Sequence, residues 1–390
     1  MKKKIHIFAP LSKHGGREIE TGFIASLFQY KYNVSLISLV NYYKNSDVEI
    51  FNKIPLYSSL NKEVYHSNIL IRILIFLMSI IKKKNTPLHF RLSNKLIKKI
   101  FDIEKSKIEI IESNVKKSDL IIICAQLSSN YVKEIVQIAK DNNVPTIFRT
   151  TGTIKVNDKN KDVYNWCKNV SLFLHHSESN AEKLNKYINV NYKIIDQCAL
   201  YEDKLLKIIK QNEKVSTFLV LSRLSPEKQI DKVINGFNSI CSKTDKLLIY
   251  GDGEEKNKLL KLASESNNIE FRGVIENKNI DSVFEESDCL IISSSEEAGP
   301  ISGIESMAAG VLIISTKVGA MPERLKDYKF WYDGTQKDLE RVMKQVKTIN
   351  GDQLQNYSKN LRNIYKKHYS LGYLKNQYEN TVGKIIREFN

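Results

Sequence analysis

Short apolar runs alternate with amphipathic stretches along most of the 390-residue chain, and this alternation constrains the fold more than any other feature. Residues 5–10, 33–40 and 119–125 are apolar runs of strand length. Amphipathic stretches with helical spacing, such as residues 17–30 and 131–143, alternate with the apolar runs. A β-α-β alternation of this kind predicts parallel sheets that are covered by helices on both faces.

The same pattern starts again after a polar, charged stretch near residues 200–214. The apolar runs of this second half are residues 216–224, 246–253, 269–275, 288–295 and 311–319. At about 100 to 200 residues per domain, the chain has room for two or three domains. We therefore predict two doubly wound Rossmann-like α/β domains, residues 1–205 and 206–369, that face each other across a cleft. A C-terminal helix at about 370–390 is expected to pack back on the first domain.

In doubly wound sheets, ligands bind beyond the carboxyl ends of the strands, on loops and helix N-termini. One loop of this kind contains Gly15 and Gly16, which permit close approach of backbone N–H groups to an anion. Another contains Arg223 and Lys228, and two cations near a helix start suit a diphosphate. The structural alternatives are an ordinary Gly-Gly turn and a pair of surface charges.

Residues 296–310, EEAGPISGIESMAAG, place Glu297 on a small-residue turn and Glu305 just inside the helix that follows. The structural alternative is a capping box in which Glu305 returns to the backbone N–H of Ser302, while Glu297 is a solvated charge. In the functional interpretation, N–H groups at the helix start hold a phosphate, and both carboxylates accept hydrogen bonds from sugar hydroxyls. A ligand that carries phosphates and sugars is a nucleotide-sugar.

At these residues the sequence resembles the retaining nucleotide-sugar glycosyltransferases of glycosyltransferase family 4, which have the GT-B fold. Glu297 and Glu305 match the E-x7-E motif of that family, and residues 320–323, AMPE, match the V-G-G-x-P-E element that follows it. Further matches are the G-R-L-x-x-x-K loop at residues 221–228, the glycine turn at 251–260, the strand at 269–275 and the N-terminal G-G-x-E at 15–18.

The resemblance implies a role for each residue of a donor site. Arg223 and Lys228 would neutralise the diphosphate leaving group, and Glu297 would contact the transferred sugar near the reacting carbon; these three are the predicted catalytic residues. Glu305 would hold the ribose hydroxyls. The other predicted donor-binding positions are Gly15, Gly16, Gly273, Val274, Ile275, Pro300, Ile301 and Ser302. No metal or other cofactor is expected, because arginine and lysine serve that role in the family and the chain has no D-x-D triplet.

Several positions depart from the family pattern. Ser222 and Gln229 stand where glycine is often found. No histidine follows a middle strand of the first half, so no catalytic histidine is carried over. His175 and His176 are the remaining candidates, and the favoured structural alternative is one buried and one exposed histidine at a strand end.

The formal net charge of +16 lies almost entirely in the first half, where residues 1–200 hold 31 basic and 17 acidic side chains. Residues 51–100 alone hold 10 basic residues and one acidic residue. Such a field attracts the phosphates of nucleic acid or of anionic lipid. Because no nucleic-acid motif with interleaved aromatic residues is present, we predict no nucleic-acid partner and favour an anionic membrane surface that binds 51–100.

Within that segment, residues 67–84 read SNILIRILIFLMSIIKKK. The apolar part, residues 69–81, contains Arg72 and is too short for a membrane-spanning helix, which needs about 20 apolar residues. One interpretation is an interfacial helix with Lys82, Lys83 and Lys84 on the lipid headgroups. The other is a buried core helix with a solvated lysine end.

Together these features predict a retaining hexosyltransferase that moves a sugar from a nucleotide-sugar to a glycan or a polyprenyl-diphosphate-linked acceptor. The composition suggests a bacterial source, and the acceptor would belong to O-antigen or capsule synthesis. Since the N-terminus resembles a first strand and not a signal peptide, we expect a cytoplasmic protein, peripheral on the inner face of the cell membrane. The alternatives are a nucleotide-sugar epimerase, an inverting GT-B transferase and, in another class, a basic nucleic-acid-binding protein.

Overall fold

A computed structural model of the chain describes residues 2–82, 88–210 and 213–389. The chain divides into two compact units. The first comprises Met1–His175, Ala181–Ile194 and Gln377–Asn390, and the second comprises His176–Asn180 and Ile195–Asn376. Each unit is built around its own parallel β-sheet.

The sheet of the first unit consists of β1 (Lys4–Ala9), β2 (Asn33–Ser38), β3 (Tyr57–Ser59), β4 (Leu120–Ala125), β5 (Thr146–Thr150), β6 (Leu172–His175) and β7 (Tyr192–Ile194). The strand order is β3-β2-β1-β4-β5-β6-β7, and neighbouring strands are parallel. The central strand β4, LIIICA, is buried at every position. A parallel sheet that is covered on both faces requires such a continuous apolar run.

The helices of residues 2–194 are α1 (Gly16–Phe28), α2 (Leu60–Ser67), α3 (Ile69–Lys82), α4 (Leu88–Leu92), α5 (Lys95–Ile100), α6 (Ile103–Val115), α7 (Val132–Asp141) and α8 (Glu178–Asn185). In α7 the buried side chains are Val132, Ile135, Val136 and Ala139. Their spacing of three and four residues places them on one face of the helix, which packs into the core of the first unit.

The sheet of the second unit consists of β8 (Thr217–Leu221), β9 (Lys246–Tyr250), β10 (Ile269–Gly273), β11 (Cys289–Ile292), β12 (Leu312–Thr316) and β13 (Trp331–Tyr332). The order is β10-β9-β8-β11-β12-β13, again with parallel neighbours. Alternate residues of β8 enter two different cores: Phe218 and Val220 enter one, and Leu219 enters the other. Helices therefore cover both faces of this sheet.

The helices of the second half are α9 (Glu202–Leu205), α10 (Ile230–Ile240), α11 (Lys256–Leu262), α12 (Ile280–Glu285), α13 (Ile301–Ala309), α14 (Met321–Arg324), α15 (Gln336–Lys347), α16 (Gly351–His368) and α17 (Leu371–Glu388). Apolar side chains of α10 and α15 share one core, and those of α13 and α16 share the other. Residues from Gln377 onward in α17 belong to the first unit.

The strand order reverses direction once in each sheet, between β1 and β4 and between β8 and β11. In doubly wound sheets this reversal opens a crevice at the carboxyl ends of the two strands, and ligands bind there. In the second unit, the loop after β8 carries Arg223 and Lys228, and the loop after β11 carries Glu297. The topology therefore brings two of the predicted loops to one edge of the sheet.

The prediction of two doubly wound α/β domains is confirmed by these two sheets. Each apolar run used for that prediction is a strand of the structure. The prediction omitted β3, β7 and β13, which are two or three residues long. So short a strand leaves no alternation to detect in the sequence.

One side of α3 is buried, as the core interpretation of residues 67–84 expects, and the interfacial interpretation stays a prediction. Ile71 and Ile75 are buried in a small core, whereas other apolar side chains of the helix are exposed. Lys83 and Lys84, which the interfacial interpretation placed on lipid headgroups, lie outside the described residues. Of the helices in the described ranges, none has the length and hydropathy needed to cross a membrane.

Candidate functional site

The loop after β8 presents two cations in different surroundings. The side chain of Arg223 is 79% exposed, and a guanidinium nitrogen lies 3.7 Å from a carboxylate oxygen of Glu227. The side chain of Lys228, at the end of a short 3-10 helix that starts with Pro226, is only 11% exposed. Burial, assisted by the positive charge of Arg223, lowers the pKa of Lys228 to about 8.

Three serines at the end of β11 fasten this loop to the sheet. The hydroxyl of Ser293 donates to the carbonyl oxygen of Lys228 at 2.6 Å. The N–H of Ser295 donates to the carbonyl oxygen of Glu227 at 2.8 Å. The carbonyl oxygen of Ser294 accepts a hydrogen bond of 2.7 Å from the hydroxyl of Thr316, the last residue of β12. The serine run therefore joins the carboxyl ends of three neighbouring strands.

Glu297 and Lys228 form an ion pair at this edge of the sheet. The Lys228 ammonium donates to a carboxylate oxygen of Glu297, and the hydroxyl of Ser294 lies 3.4 Å from the same oxygen. Among the neighbouring carboxylates, that of Glu227 raises the pKa of Lys228 and so opposes the effect of burial. The family resemblance assigned Lys228 and Glu297 to different parts of the donor, and the structure brings them into direct contact.

Helix α13 begins at Ile301 with Pro300 as its N-cap, and the N-cap side chain makes no capping hydrogen bond. Ser302 therefore lies inside the first turn. The capping box proposed as the structural alternative, which requires Ser302 as the N-cap, is wrong. The first backbone N–H groups of a helix have no acceptor within it, and an uncapped end offers them to an anion.

Glu305 lies in the second turn of α13 and is 8% exposed. Burial raises the pKa of its carboxyl group to about 7, and no charge or hydrogen bond opposes that effect. Among the residues that the structure describes, we find no hydrogen-bond or ion-pair partner for this carboxyl group. A carboxyl group of this kind can accept hydrogen bonds from donors outside the described residues.

The glycine turn after β9 permits close approach of two loops. Gly251 has a φ of 140°, and a Cβ atom there would lie 1.8 Å from the carbonyl oxygen of Ser222. The N–H of Gly251 also donates to the carbonyl oxygen of Gly273 at 2.8 Å. Gly273 ends β10, Val274 is exposed and Ile275 is half-buried. The predicted donor-binding positions 273–275 therefore adjoin the loop that carries Arg223.

Gln229, which stands where the family often has glycine, has a left-handed backbone with φ 50° and ψ 40°. Glycine adopts this conformation without steric cost, whereas a residue with a Cβ atom is strained there. The conformation explains the preference of the family. The chain thus keeps the backbone of the loop although it lacks the usual residue.

Gly15 and Gly16 lie in the first unit, where Gly15 is the N-cap of α1 with a φ of 147°. The N–H of Gly15 donates to the carboxylate of Asp47 at 3.1 Å. The carboxylate of Glu18 accepts hydrogen bonds from the N–H and hydroxyl of Ser12, at 2.6 and 2.8 Å. The loop is thus held by two acidic side chains of its own unit, and its contact with a diphosphate stays a prediction.

His175 and His176 are both buried, so the expectation that one of them is exposed is wrong. The ring of His175 stacks on Phe173 with centroids 5.7 Å apart. Its Nδ1 lies 2.9 Å from the hydroxyl oxygen of Thr150. These contacts give His175 a structural role in the first unit.

A buried arginine supports the turn that carries Glu297, and the sequence analysis missed it. The guanidinium of Arg324 donates to both carboxylate oxygens of Asp196, at 2.7 and 2.8 Å, and to the carbonyl oxygen of Pro300 at 2.6 Å. A Cβ atom at Gly299 would lie 2.8 Å from this guanidinium. Arg324 ends the short helix α14 after the charged Glu323, so its neighbours in sequence give no indication of this role.

Two Rossmann-like units, each with a parallel sheet of this order, define the GT-B fold of glycosyltransferases. Residues 202–364 match the family model of the glycosyl transferases group 1. The matched range contains the loops of Arg223, Lys228, Glu297 and Glu305.

The chain is also similar to solved structures and to curated proteins. A glycosyltransferase from Rickettsia africae has a TM-score of 0.72 at 16% identity over 99% of each chain. HepE of Anabaena, in complex with UDP, has a TM-score of 0.70 at 14% identity over 98% of this chain and 100% of HepE. N-acetyl-alpha-D-glucosaminyl L-malate synthase of Bacillus anthracis is 30% identical over 147 residues, which are 36% of this chain and 38% of the synthase. The structural likenesses show the fold, and the curated match spans well under half of its relative.

Replacing Glu305 with glutamine is expected to stabilise the protein in a pH-dependent manner. Because the folded-state pKa is raised to about 7, the stability contributed by the protonated carboxyl group is present at pH 4 to 5 and is lost as pH rises through 7. Glu305→Gln should therefore raise the free energy of unfolding at pH 8 by up to about 3 kcal/mol and change it little at pH 5. Urea unfolding at both pH values measures this, with the exposed Glu254→Gln as the matched control. A gain of the same size at pH 5 would contradict the assignment.

Replacing Arg324 with methionine is expected to destabilise the second unit by about 3 to 5 kcal/mol, since it leaves the buried carboxylate of Asp196 without its cation. The double variant Asp196→Asn/Arg324→Met removes both charges. Its loss in the free energy of unfolding should therefore be smaller than the sum of the losses in the two single variants. Urea unfolding of the two single variants and the double variant measures this coupling. Strict additivity would mean that the pair does not act as a unit.

Proposed function

We propose that the chain is a retaining glycosyltransferase whose nucleotide-sugar donor binds at the carboxyl ends of β8 and β11. Support comes from the match of residues 202–364 to glycosyl transferases group 1 and from the likeness to HepE, a protein solved in complex with UDP-glucose. The chemistry of the site is also suitable, since cations, an uncapped helix start and carboxylates lie together. A nucleotide-sugar carries groups that complement each of these.

The unpartnered carboxyl group of Glu305 is the observation that carries the proposal. Two neighbouring ribose hydroxyls can donate hydrogen bonds to one carboxylate, and such charge-assisted bonds are strong. They would hold Glu305 in its charged form and compensate the effect of burial on its pKa. The start of α13, four residues earlier in the chain, would then be placed for the diphosphate.

In the proposed reaction, the bond between the anomeric carbon of the sugar and the β-phosphate oxygen breaks, and a bond to the acceptor oxygen forms. Negative charge develops on the departing nucleoside diphosphate. Lys228, Arg223 and the first N–H groups of α13 would stabilise that charge in fixed positions. Glu297, already paired with Lys228, would contact hydroxyls of the transferred sugar.

We propose retention of the anomeric configuration, with the acceptor proton passing to the leaving phosphate oxygen and not to a protein base. We also propose that Arg223 and Lys228 supply the positive charge without a metal ion. Activity should then survive treatment with EDTA. Proton NMR of the product distinguishes retention from inversion, and incubation of the protein with nucleotide-sugars alone tests for an epimerase.

The proposed acceptor is a glycan linked to a polyprenyl diphosphate on the inner face of a bacterial membrane, in the synthesis of O-antigen or capsule. The basic segment 51–100, with its 10 basic residues and one acidic residue, motivates this proposal because it suits an anionic surface. A thermal-shift screen against a panel of nucleotide-sugars would identify the donor, since a ligand of the native state raises its stability.

Lys228→Ala is expected to lower kcat/KM by about a hundredfold to a thousandfold, as does the loss of a comparable preorganised donor in other enzymes. Arg223→Ala should have a smaller effect, because the arginine is largely exposed and its charge is better screened. Steady-state kinetics with saturating acceptor measure both. Lys337→Ala, at an exposed position of α15, is the control and should behave like the wild type. Wild-type kcat/KM in both site variants would exclude the diphosphate assignment.

The pKa of Lys228 also predicts how activity depends on pH. With a pKa of about 8 in the free protein, the ammonium is charged below that pH and neutral above it, so kcat/KM should fall above about pH 8. Lys228→Arg keeps its charge throughout this range and should remove the decline, whatever its absolute rate. A pH profile of kcat/KM for both proteins tests this. An identical alkaline decline in the variant would assign the titration to another group.

A further inference from the structure

Helix α3 has two apolar faces, and the residues that the structure describes cover one of them. Ile71 and Ile75 are buried in a small core to which α2, α4, α5 and α6 also contribute. The apolar side chains that lie away from this core are between 49% and 65% exposed: Ile69, Leu70, Ile73, Phe76 and Leu77. Their spacing of one, three and four residues forms a single stripe along the helix. We call this stripe the α3 face.

A stripe of large exposed apolar side chains on a soluble unit marks an interaction surface. The same group of helices exposes Phe90, Leu96 and Ile100 as well. The small core of this group of helices lies on the opposite side of α3 and does not include these side chains. An exposed surface of this kind suits a partner that accepts apolar side chains.

The charge around the α3 face identifies the chemistry of that partner. Residues 67–100 contain eight basic residues and no acidic residue. Arg72, Lys95, Lys98 and Lys99 are exposed. A second copy of the chain would place these cations against one another, which is unfavourable. A bilayer with anionic headgroups accepts apolar side chains at its acyl boundary and attracts basic residues at its surface.

We propose that the α3 face docks on the surface of an anionic lipid bilayer. Helix α3 lies in the plane of the headgroups, with its exposed apolar side chains at the acyl boundary and the neighbouring lysines over anionic lipids. Its 14 residues form a helix of about 21 Å, which suits an interfacial position and not a spanning one. The α3 face would be the membrane contact of the transferase proposed above. This proposal rests on the proposed function only for the identity of the lipid-linked acceptor.

Sedimentation with sucrose-loaded vesicles tests the docking surface. Full-length protein should bind vesicles of 70% phosphatidylcholine and 30% phosphatidylglycerol at least tenfold more tightly than vesicles of phosphatidylcholine alone. The double variant Leu70→Gln/Ile73→Gln shortens the apolar stripe without adding charge and should bind the anionic vesicles at least tenfold more weakly. Val163→Gln removes an exposed apolar side chain elsewhere in the first unit and should bind like the wild type. Thermal unfolding confirms that each variant is folded.

A second set of variants tests the charge. Lys95→Gln/Lys98→Gln/Lys99→Gln should weaken binding to anionic vesicles several-fold and reduce its dependence on salt. Equal recovery of the wild type in the supernatant with and without vesicles would overturn the proposal. So would equal binding by the Leu70→Gln/Ile73→Gln and Val163→Gln proteins. A wild-type dimer that dissociates in Leu70→Gln/Ile73→Gln, without lipid binding by either protein, would assign the face to a second copy.

Thermal stabilisation by UDP, measured on the same proteins, separates this proposal from the proposed function. The α3 variants are expected to keep the UDP effect of the wild type, because they lie outside the donor site. Stabilisation by UDP without vesicle binding would remove the docking surface and leave the transferase. Vesicle binding without any effect of UDP or other nucleotides on thermal stability would keep the docking surface and remove the proposed transferase.

Discussion

The parallel pairing of β8 with β11 is the constraint on which the candidate site depends. The two strands are neighbours through Phe218 and Cys289, and the strand order reverses between them. Their carboxyl ends therefore lie at the same edge, and the loops that follow begin side by side. Lys228 and Glu297, 69 residues apart in sequence, form an ion pair for this reason. The serines after β11 then fix the backbone around that pair.

Burial dominates the electrostatics of this edge of the sheet. Burial favours the neutral forms of both Lys228 and Glu305, and it shifts their pKa values in opposite directions. A diphosphate would favour the charged lysine, and ribose hydroxyls would favour the charged glutamate. Burial thus disfavours the charged forms of both side chains, and the proposed nucleotide-sugar would favour those same forms. Arg324 supports the intervening turn, because its guanidinium donates to the carbonyl oxygen of Pro300 while it pairs with Asp196.

Helix α3 of the first unit has one buried apolar side and one exposed apolar side. The periodicity of residues 69–81 is compatible with a buried helix and with an interfacial helix, and nothing in that stretch distinguishes them. In the structure α3 closes a small core with one side and leaves the other exposed among basic residues. The two interpretations were alternatives only because the sequence does not show how many sides of a helix its neighbours cover.

The sequence by itself determined the doubly wound fold class, the long strands and the loops on which the candidate residues lie. These features are local, since the period of apolar residues and the position of glycines do not depend on the rest of the chain. Only the tertiary structure decided that Lys228 contacts Glu297, that Arg324 pairs with Asp196, and that Glu305 is buried without a partner. It also decided that α13 begins at Ile301, which removed the capping box. Each of these depends on which strands are neighbours and on how closely their loops approach, and contacts between residues that are distant in sequence leave no period to detect.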